Sequence, residues 1–501
     1  MFDVFRRNRP LLVAASLVAL IVFWMANRYE PKVTANILLS GLTLGALYFL
    51  VAAGLSLIFG LMDVLNFAHG LMFMLGAYFG YTVYANPRII LNTLPLMLAL
   101  GGGAMAGAAL ASRVWARLGA AQNKRGVLIV VWLLAGALTL AGMWRFDLQS
   151  LAANAATVAG GAIATGQAQE AAGALAAGLG LLSGAGLALG LALRSREFGP
   201  GRSMARNAAL GMGLVVLAFA IVPARISGEA FILGLSNNLR FVLALAVGAL
   251  GGAAIGALTE VGLIRPLYSR PIYQVLLTLG LVYVGTEFIK GVWGPVGYYM
   301  DIPDYFNTRG GDCPSPNLLL WFRDHCGSID VLGRPFPSYR LFIIFLGVAV
   351  FIAVAALLRY TRLGMIIRAG VQDREMVQAL GINVQWVFTL VFALGTGLAA
   401  LGGVAAAPFI GVNPGIGQDF LLQSFISVVI GGMGSYPGAA IGTLLVGLAR
   451  AFGDQLVLSG VQFPGMEAAV KLSPSIARAS TVLIMAVVLL LRPAGLFGKR
   501  E

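Results

Sequence analysis

The chain has 501 residues, 59% of them hydrophobic and only 11% charged, with a mean hydropathy of +0.87. A water-soluble domain carries about 25% charged residues, so a chain this poor in charge cannot cover a water-facing surface and a soluble fold is excluded. The net charge of +14 would point to nucleic acid in a soluble protein, but here the basic residues sit in short loops between apolar runs, as the positive-inside rule describes.

In chain order, the first apolar run, 11–27, lacks an Ala-x-Ala-type cleavage exit and reads as an uncleaved span. With about 20 apolar residues needed per crossing, the sequence predicts an all-α, polytopic transmembrane helical bundle of about 14 spans, some of them broken or half helices. The runs lie near 11–27, 35–60, 66–84, 89–112, 127–144, 170–193, 208–224, 238–264, 272–291, 340–359, 386–410, 418–433, 437–453 and 478–492. The 418–433 run is short enough for a half-helix. The Ala/Gly/Thr-rich stretch 151–169 has no definite reading. There are 66 glycines without a collagen-like period, which fits closely packed membrane helices.

Lys and Arg set orientation. Clusters fall at Arg6, Arg7 and Arg9; Arg113, Arg117, Lys124 and Arg125; Arg194, Arg196, Arg202 and Arg206; Arg265 and Arg270; Arg359, Arg362 and Arg368; and Arg492, Lys499 and Arg500. Threading the spans from a cytoplasmic N-terminus puts every cluster inside, so both termini are expected to be cytoplasmic. The longest polar stretch, 292–339, then lies outside and holds the two cysteines, Cys313 and Cys326. The outer face of a bacterial inner membrane is oxidising, so a disulfide is expected there, the alternative being two free thiols.

Asn66 and His69 open the 66–84 span. Asn66 suits a helix cap. The same helix start also suits a translocation path, where free N–H groups meet passing carboxylates. Asn413-Pro414-Gly415 and the run from Gly431 and Gly432 to Ser435 interrupt the last apolar region, either as ordinary turns or as irregular backbone lining a cavity. Gly-x-x-x-Gly pairs at Gly41/Gly45, Gly252/Gly256 and Gly438/Gly442 predict close helix crossings. Two histidines are too few for a metal site. No run of buried acids marks a proton relay, and no Gly-x-x-x-x-Gly-Lys-Ser/Thr phosphate loop is present.

Several phrases occur together in one order: NFAHG at 66–70, LIRPLYSRPIYQVLLTLGL at 263–281, RAGVQD at 368–373 followed by LGINV at 380–384, GGMGS at 431–435 before GAAIG at 438–442, and RPAGLFG at 492–498. Over 35–84 and 238–500 the chain resembles the permeases of branched-chain amino-acid ABC importers, and most of all the first of that family's two paralogous permeases. The resemblance leaves an extra N-terminal helix in 1–34 and splits the permease core into 35–84 and 238–501, with an insertion of about four spans at 85–237. Within the second part of the core it places an outer loop at 292–339 and a cytoplasmic coupling loop at 360–385.

The resemblance implies a non-enzymatic transport subunit in the bacterial inner membrane that binds no cofactor and no nucleic acid. Its implied partners are a second permease, two ATPase subunits that bind and hydrolyse ATP, a periplasmic binding protein and membrane lipid. It places ATPase coupling at Arg368, Asp373, Glu375, Met376, Ala379, Leu380 and Gly381. These residue types suit a short amphipathic helix: acids early, where the helix dipole favours them, apolar residues at i, i+3 and i+4, and a terminating glycine. An interfacial helix on lipid is the alternative. Permeases for urea or short amides are the rival substrates within the family, and a stand-alone secondary transporter or channel is the rival class.

Overall fold

Inside lipid every backbone N–H and C=O must be satisfied within its own segment, so apolar runs of this length fold as helices. The computed structural model describes residues 15–498 except 17, 21, 63, 118–123, 145–171, 194–202, 269, 309–312, 373, 461–469 and 471–472. Arg6, Arg7, Arg9, the 151–169 stretch, residues 118–123 and 194–202 of the two basic loops, Asp373, Lys499 and Arg500 lie outside the described residues. Among those described, nine helices are long and apolar enough to cross a membrane, and shorter apolar helices accompany them. The protein is a polytopic helical membrane protein.

The chain divides into two compact units. The first comprises Met1–Tyr81, Asn237–Lys290 and Pro295–Glu501. It contains α1 (Pro31–Met62) and most of α2 (His69–Ala85), then α7 (Asn237–Thr259) and most of α8 (Pro271–Trp293). After an irregular loop come α10 (Ser338–Tyr360), α11 (Arg362–Gln372), α12 (Arg374–Ala379), α13 (Val384–Ile410), α14 (Ile416–Gly431), α15 (Tyr436–Ser459) and α16 (Pro474–Leu491). At the centre, α1 is buried continuously from Leu47 to Ile58. Small residues let it approach its neighbours: a Cβ on Gly54 would lie 2.3 Å from the Gly395 carbonyl oxygen of α13. Gly256 likewise faces Thr396 of α13, whose Oγ1 would lie 1.9 Å from an added Cβ, which is the close crossing that Gly-x-x-x-Gly spacing permits.

Two spans are irregular. α7 runs on through a π-turn (Glu260–Ile264) and a 3-10 turn (Arg265–Leu267). α14 has 16 residues, about 24 Å at 1.5 Å per residue, shorter than the ~30 Å hydrocarbon core. The loop before α10 folds on its own core. It holds α9 (Leu318–Asp324) and a hairpin of β1 (Ser328–Val331) and β2 (Arg334–Pro337), paired antiparallel with Val331 opposite Arg334. Leu332 and Gly333 both have positive φ, the backbone of a type I′ turn. Cys313 and Cys326 are joined in this loop (S–S 2.05 Å), beside buried Trp321 and Ile329.

The second unit comprises Thr82–Ser236 and Gly291–Gly294. Its helices are α3 (Pro87–Arg117), α4 (Lys124–Trp144), α5 (Ala172–Leu193) and α6 (Ser203–Gly234). Ala99, Leu179, Leu182, Ala218 and Val222 form its core. Gly103 and Gly107 of α3 take α5 at van der Waals limits, where added Cβ atoms would lie 2.2 Å and 2.1 Å from the Ser183 and Leu187 carbonyl oxygens. Arg88 and Glu229 pair at 2.8 Å.

Candidate translocation cavity and coupling face

Within the first unit a cavity of about 610 Å³ opens among α1, α10, α14, α15 and α16. α1 contributes Asn36, Ser40 and Tyr48, and α10 contributes Arg340 from its first turn. α14 contributes Asp419 and Gln423, α15 Arg450 and Asp454, and α16 Arg478. Leu44, Ile416 and Phe420 supply apolar wall. The charges are mostly paired: Arg450 with Asp454 at 3.2 Å and Arg478 with Asp419 at 3.7 Å. Arg340 stacks over Phe409, 4.6 Å from the ring centroid, and donates a long 3.4 Å hydrogen bond to Ser40 Oγ. Tyr298 and Val412 exchange backbone hydrogen bonds of 2.8 Å each way, fixing the turn that follows α13.

Of the residues the sequence marked for a path, the structure brings Asn413 to this cavity. Its Oδ1 accepts from the Gly415 N–H at 2.9 Å, shaping the turn into α14. Asn66 is buried and accepts from the Ala68 N–H at 3.0 Å, in the turn before α2. His69 is fully buried, its Nε2 3.1 Å from the Val51 carbonyl oxygen. Gly431 packs on α15, where a Cβ would lie 2.2 Å from the Gly438 carbonyl oxygen. Gly432 has φ +98° and abuts the Gly498 backbone. These four residues do not line the cavity.

α10 reaches about 30 Å from Arg340 to its far end, where the second feature begins. Thr361 Oγ1 accepts from the Gly364 N–H at 3.0 Å and so starts α11. Arg368 of α11 donates to the Leu358 carbonyl of α10. The sequence predicts one short helix here; the structure has two, α11 and α12, because the Thr361 cap starts helix formation before Arg368. Met376 (59% exposed), Ala379 and Leu380 (72% exposed) all face outward, while Val377 turns inward and is buried. Gly381 has φ +79°, and its N–H meets the Gln378 carbonyl at 2.9 Å. Asn383 caps α13, accepting from the Trp386 N–H at 3.2 Å. Glu375 lies on α12, but its side chain, like Asp373, is outside the described residues.

Beside the start of α13 the structure adds a network that sequence reasoning missed. Glu260 is wholly buried on the π-turn. Arg265 donates to it through Nε (3.1 Å) and Nη2 (2.9 Å), and Thr389 of α13 donates through Oγ1 (2.7 Å). Tyr268 also donates to Glu260 Oε1. The sequence signal for it is an acid five residues before an arginine at the end of an apolar run. Helical spacing does not pair them; the π-turn brings them together.

The chain is thus a polytopic helical membrane protein with a mixed-charge cavity at one end of α10 and an exposed apolar helix face at the other. The chain belongs to the family described as branched-chain amino acid transport system / permease component, whose model matches residues 187–491. It is 35% identical over 211 residues to the high-affinity branched-chain amino acid transport system permease protein LivH of Escherichia coli (strain K12), covering 41% of this chain and 63% of that protein. It is 35% identical over 161 residues to the corresponding protein BraD of Pseudomonas aeruginosa, covering 32% of this chain and 46% of that one. The ribose import permease protein RbsC of Escherichia coli (strain K12) is 30% identical over 254 residues, 49% of this chain and 71% of RbsC. The chain therefore spans less than two thirds of LivH and BraD. No solved structure matches it.

Proposed function

We propose that the chain is the transmembrane permease subunit of an ABC importer that moves branched-chain or similar neutral amino acids inward. ATP is bound and hydrolysed by two separate subunits, and a second permease completes the pathway. A periplasmic binding protein delivers substrate to the cavity end, and both termini and the α11–α12 segment face the cytoplasm. The supporting observation is the exposed Met376–Leu380 face. Its apolar residues lie on the surface of this chain, as a knob for a groove on an ATPase requires. The names of LivH and BraD support the substrate. The name of RbsC makes ribose the comparison substrate, alongside urea and short amides.

The test is reconstitution of the chain with its neighbouring gene products in proteoliposomes. ATP-dependent leucine uptake that exceeds ribose and urea uptake is expected. Uptake by this chain alone, without ATPase subunits, would establish a secondary transporter or channel instead.

A further inference from the structure

On the cavity wall one polar atom lacks a hydrogen-bond partner and one guanidinium lacks a counter-ion among the described residues. Gln423 is 5% exposed, and its Oε1 has no hydrogen-bond partner among the described residues. Arg340 is half-buried against Phe409, and among the described residues it has no carboxylate within ion-pair distance. Among the other cavity arginines, Arg450 and Arg478 already pair with Asp454 and Asp419, and Arg334 is exposed. A half-buried guanidinium lacking a counter-ion calls for an anion, and a buried amide oxygen lacking a donor calls for an N–H. Both line one cavity with Leu44, Ile416 and Phe420.

We propose that this cavity binds an α-amino-acid zwitterion directly. Arg340 takes the carboxylate, the Gln423 amide turns its buried oxygen into the cavity to accept from the ammonium, and the apolar wall receives an aliphatic side chain. The permease then checks substrate chemistry itself, independently of any partner that delivers it. A carboxylate matches the planar guanidinium fork. Urea and ribose, being uncharged, would leave Arg340 without a counter-ion. The inference deepens the amino-acid reading above and rests on it for the choice of leucine as probe.

The experiment uses the full chain in nanodiscs of phosphatidylglycerol, a lipid without an ammonium group. Binding of L-leucine is measured by calorimetry against 4-methylpentanoate, which lacks the ammonium, and isoamylamine, which lacks the carboxylate. Leucine is expected to bind roughly tenfold or more tightly than either, since each analogue loses one charge-assisted contact. Arg340→Gln should erase the preference over isoamylamine, and Arg340→Lys should restore part of it. Gln423→Leu should erase the preference over 4-methylpentanoate. If a variant fails to fold, the three-ligand series on the unaltered chain still decides. Equal binding of all three ligands, or no leucine binding, overturns the proposal. So does phosphatidylethanolamine binding in leucine's place, with the same loss in Arg340→Gln, which would assign the cavity to a lipid headgroup. ATP-driven leucine uptake by the complete transporter, measured in parallel, separates this inference from the importer reading. Intact uptake without leucine binding by the chain refutes the site alone.

Discussion

Arg265 holds Glu260 from both sides, with Nε 3.1 Å from Oε1 and Nη2 2.9 Å from Oε2, and the carboxylate has no solvent exposure. Removing one partner of a buried pair leaves an uncompensated charge and costs about 3–5 kcal/mol. Arg265→Ala is therefore expected to destabilise the protein by roughly that amount. The double change Glu260→Gln with Arg265→Gln should cost less than Arg265→Ala alone, because no bare charge remains. Thermal unfolding in detergent, monitored by circular dichroism, measures both. A double variant less stable than Arg265→Ala would show that the pair's charge is not what matters.

Leu380 and Met376 are exposed in this chain, so changing them should cost the chain itself no more than about 0.5 kcal/mol. Leu380→Asp should nevertheless abolish ATPase co-purification and uptake, because it would bury an unpaired charge in the docking groove. A Cβ added at Gly381 would meet open space, but the backbone there has a positive φ of 79°. Gly381→Val should thus strain the backbone by about 1–2 kcal/mol, whereas Gly381→Asn, which tolerates that region, should behave nearly as the parent. Pull-down of the ATPase alongside uptake checks both positions. Normal uptake with the ATPase still bound in Leu380→Asp would remove the coupling role.

Cys313 and Cys326 close a short loop around Trp321, whose indole N–H donates to the Cys326 carbonyl at 2.8 Å. Their bridge is expected in protein recovered from an oxidising compartment and is worth about 2–4 kcal/mol to this loop. Non-reducing peptide mass spectrometry should find the cross-linked pair. Two alkylatable thiols in native protein would contradict it.

Orientation is checked independently. Single cysteines placed in the 194–207 loop of a Cys313→Ser, Cys326→Ser background should resist an impermeant maleimide in intact cells. They should react once the membrane is opened, because the arginine clusters hold that loop inside. Labelling from outside would reverse the assignment of the second unit's helices.

The apolar runs disclosed the helices well, because a span announces itself by length. The 418–433 run became α14, and the 386–410 run became α13, ending at Ile410 before the turn that holds Asn413. Polar segments were less legible. α11 was hidden because its start depends on Thr361 capping Gly364, a single hydrogen bond with little periodicity behind it. The β1–β2 hairpin rests on Leu332-Gly333 rather than on a strong Asn-Gly turn. The cavity was the least legible of all. Arg340, Gln423 and Asp454 lie on three different helices, and no local pattern says that they converge. Asn413 was singled out because Asn-Pro-Gly breaks a span, which is a local signal.

The pairing of α1 with α15 has a consequence for how the protein is made. Gly41 of α1 lies against Leu448 and Gly447 of α15, yet about 400 residues separate them, so at about 5–20 residues per second α1 waits roughly 20–80 s for its partner. During that interval its glycine face and its Asn36 and Ser40 side chains must be tolerated by lipid, by the insertion machinery or by a temporary neighbour. The intervening helices, including all of α3 to α6, emerge first. Biogenesis of this permease is thus set by its latest helices, and truncations that stop before α15 should leave α1 exposed to quality-control proteolysis.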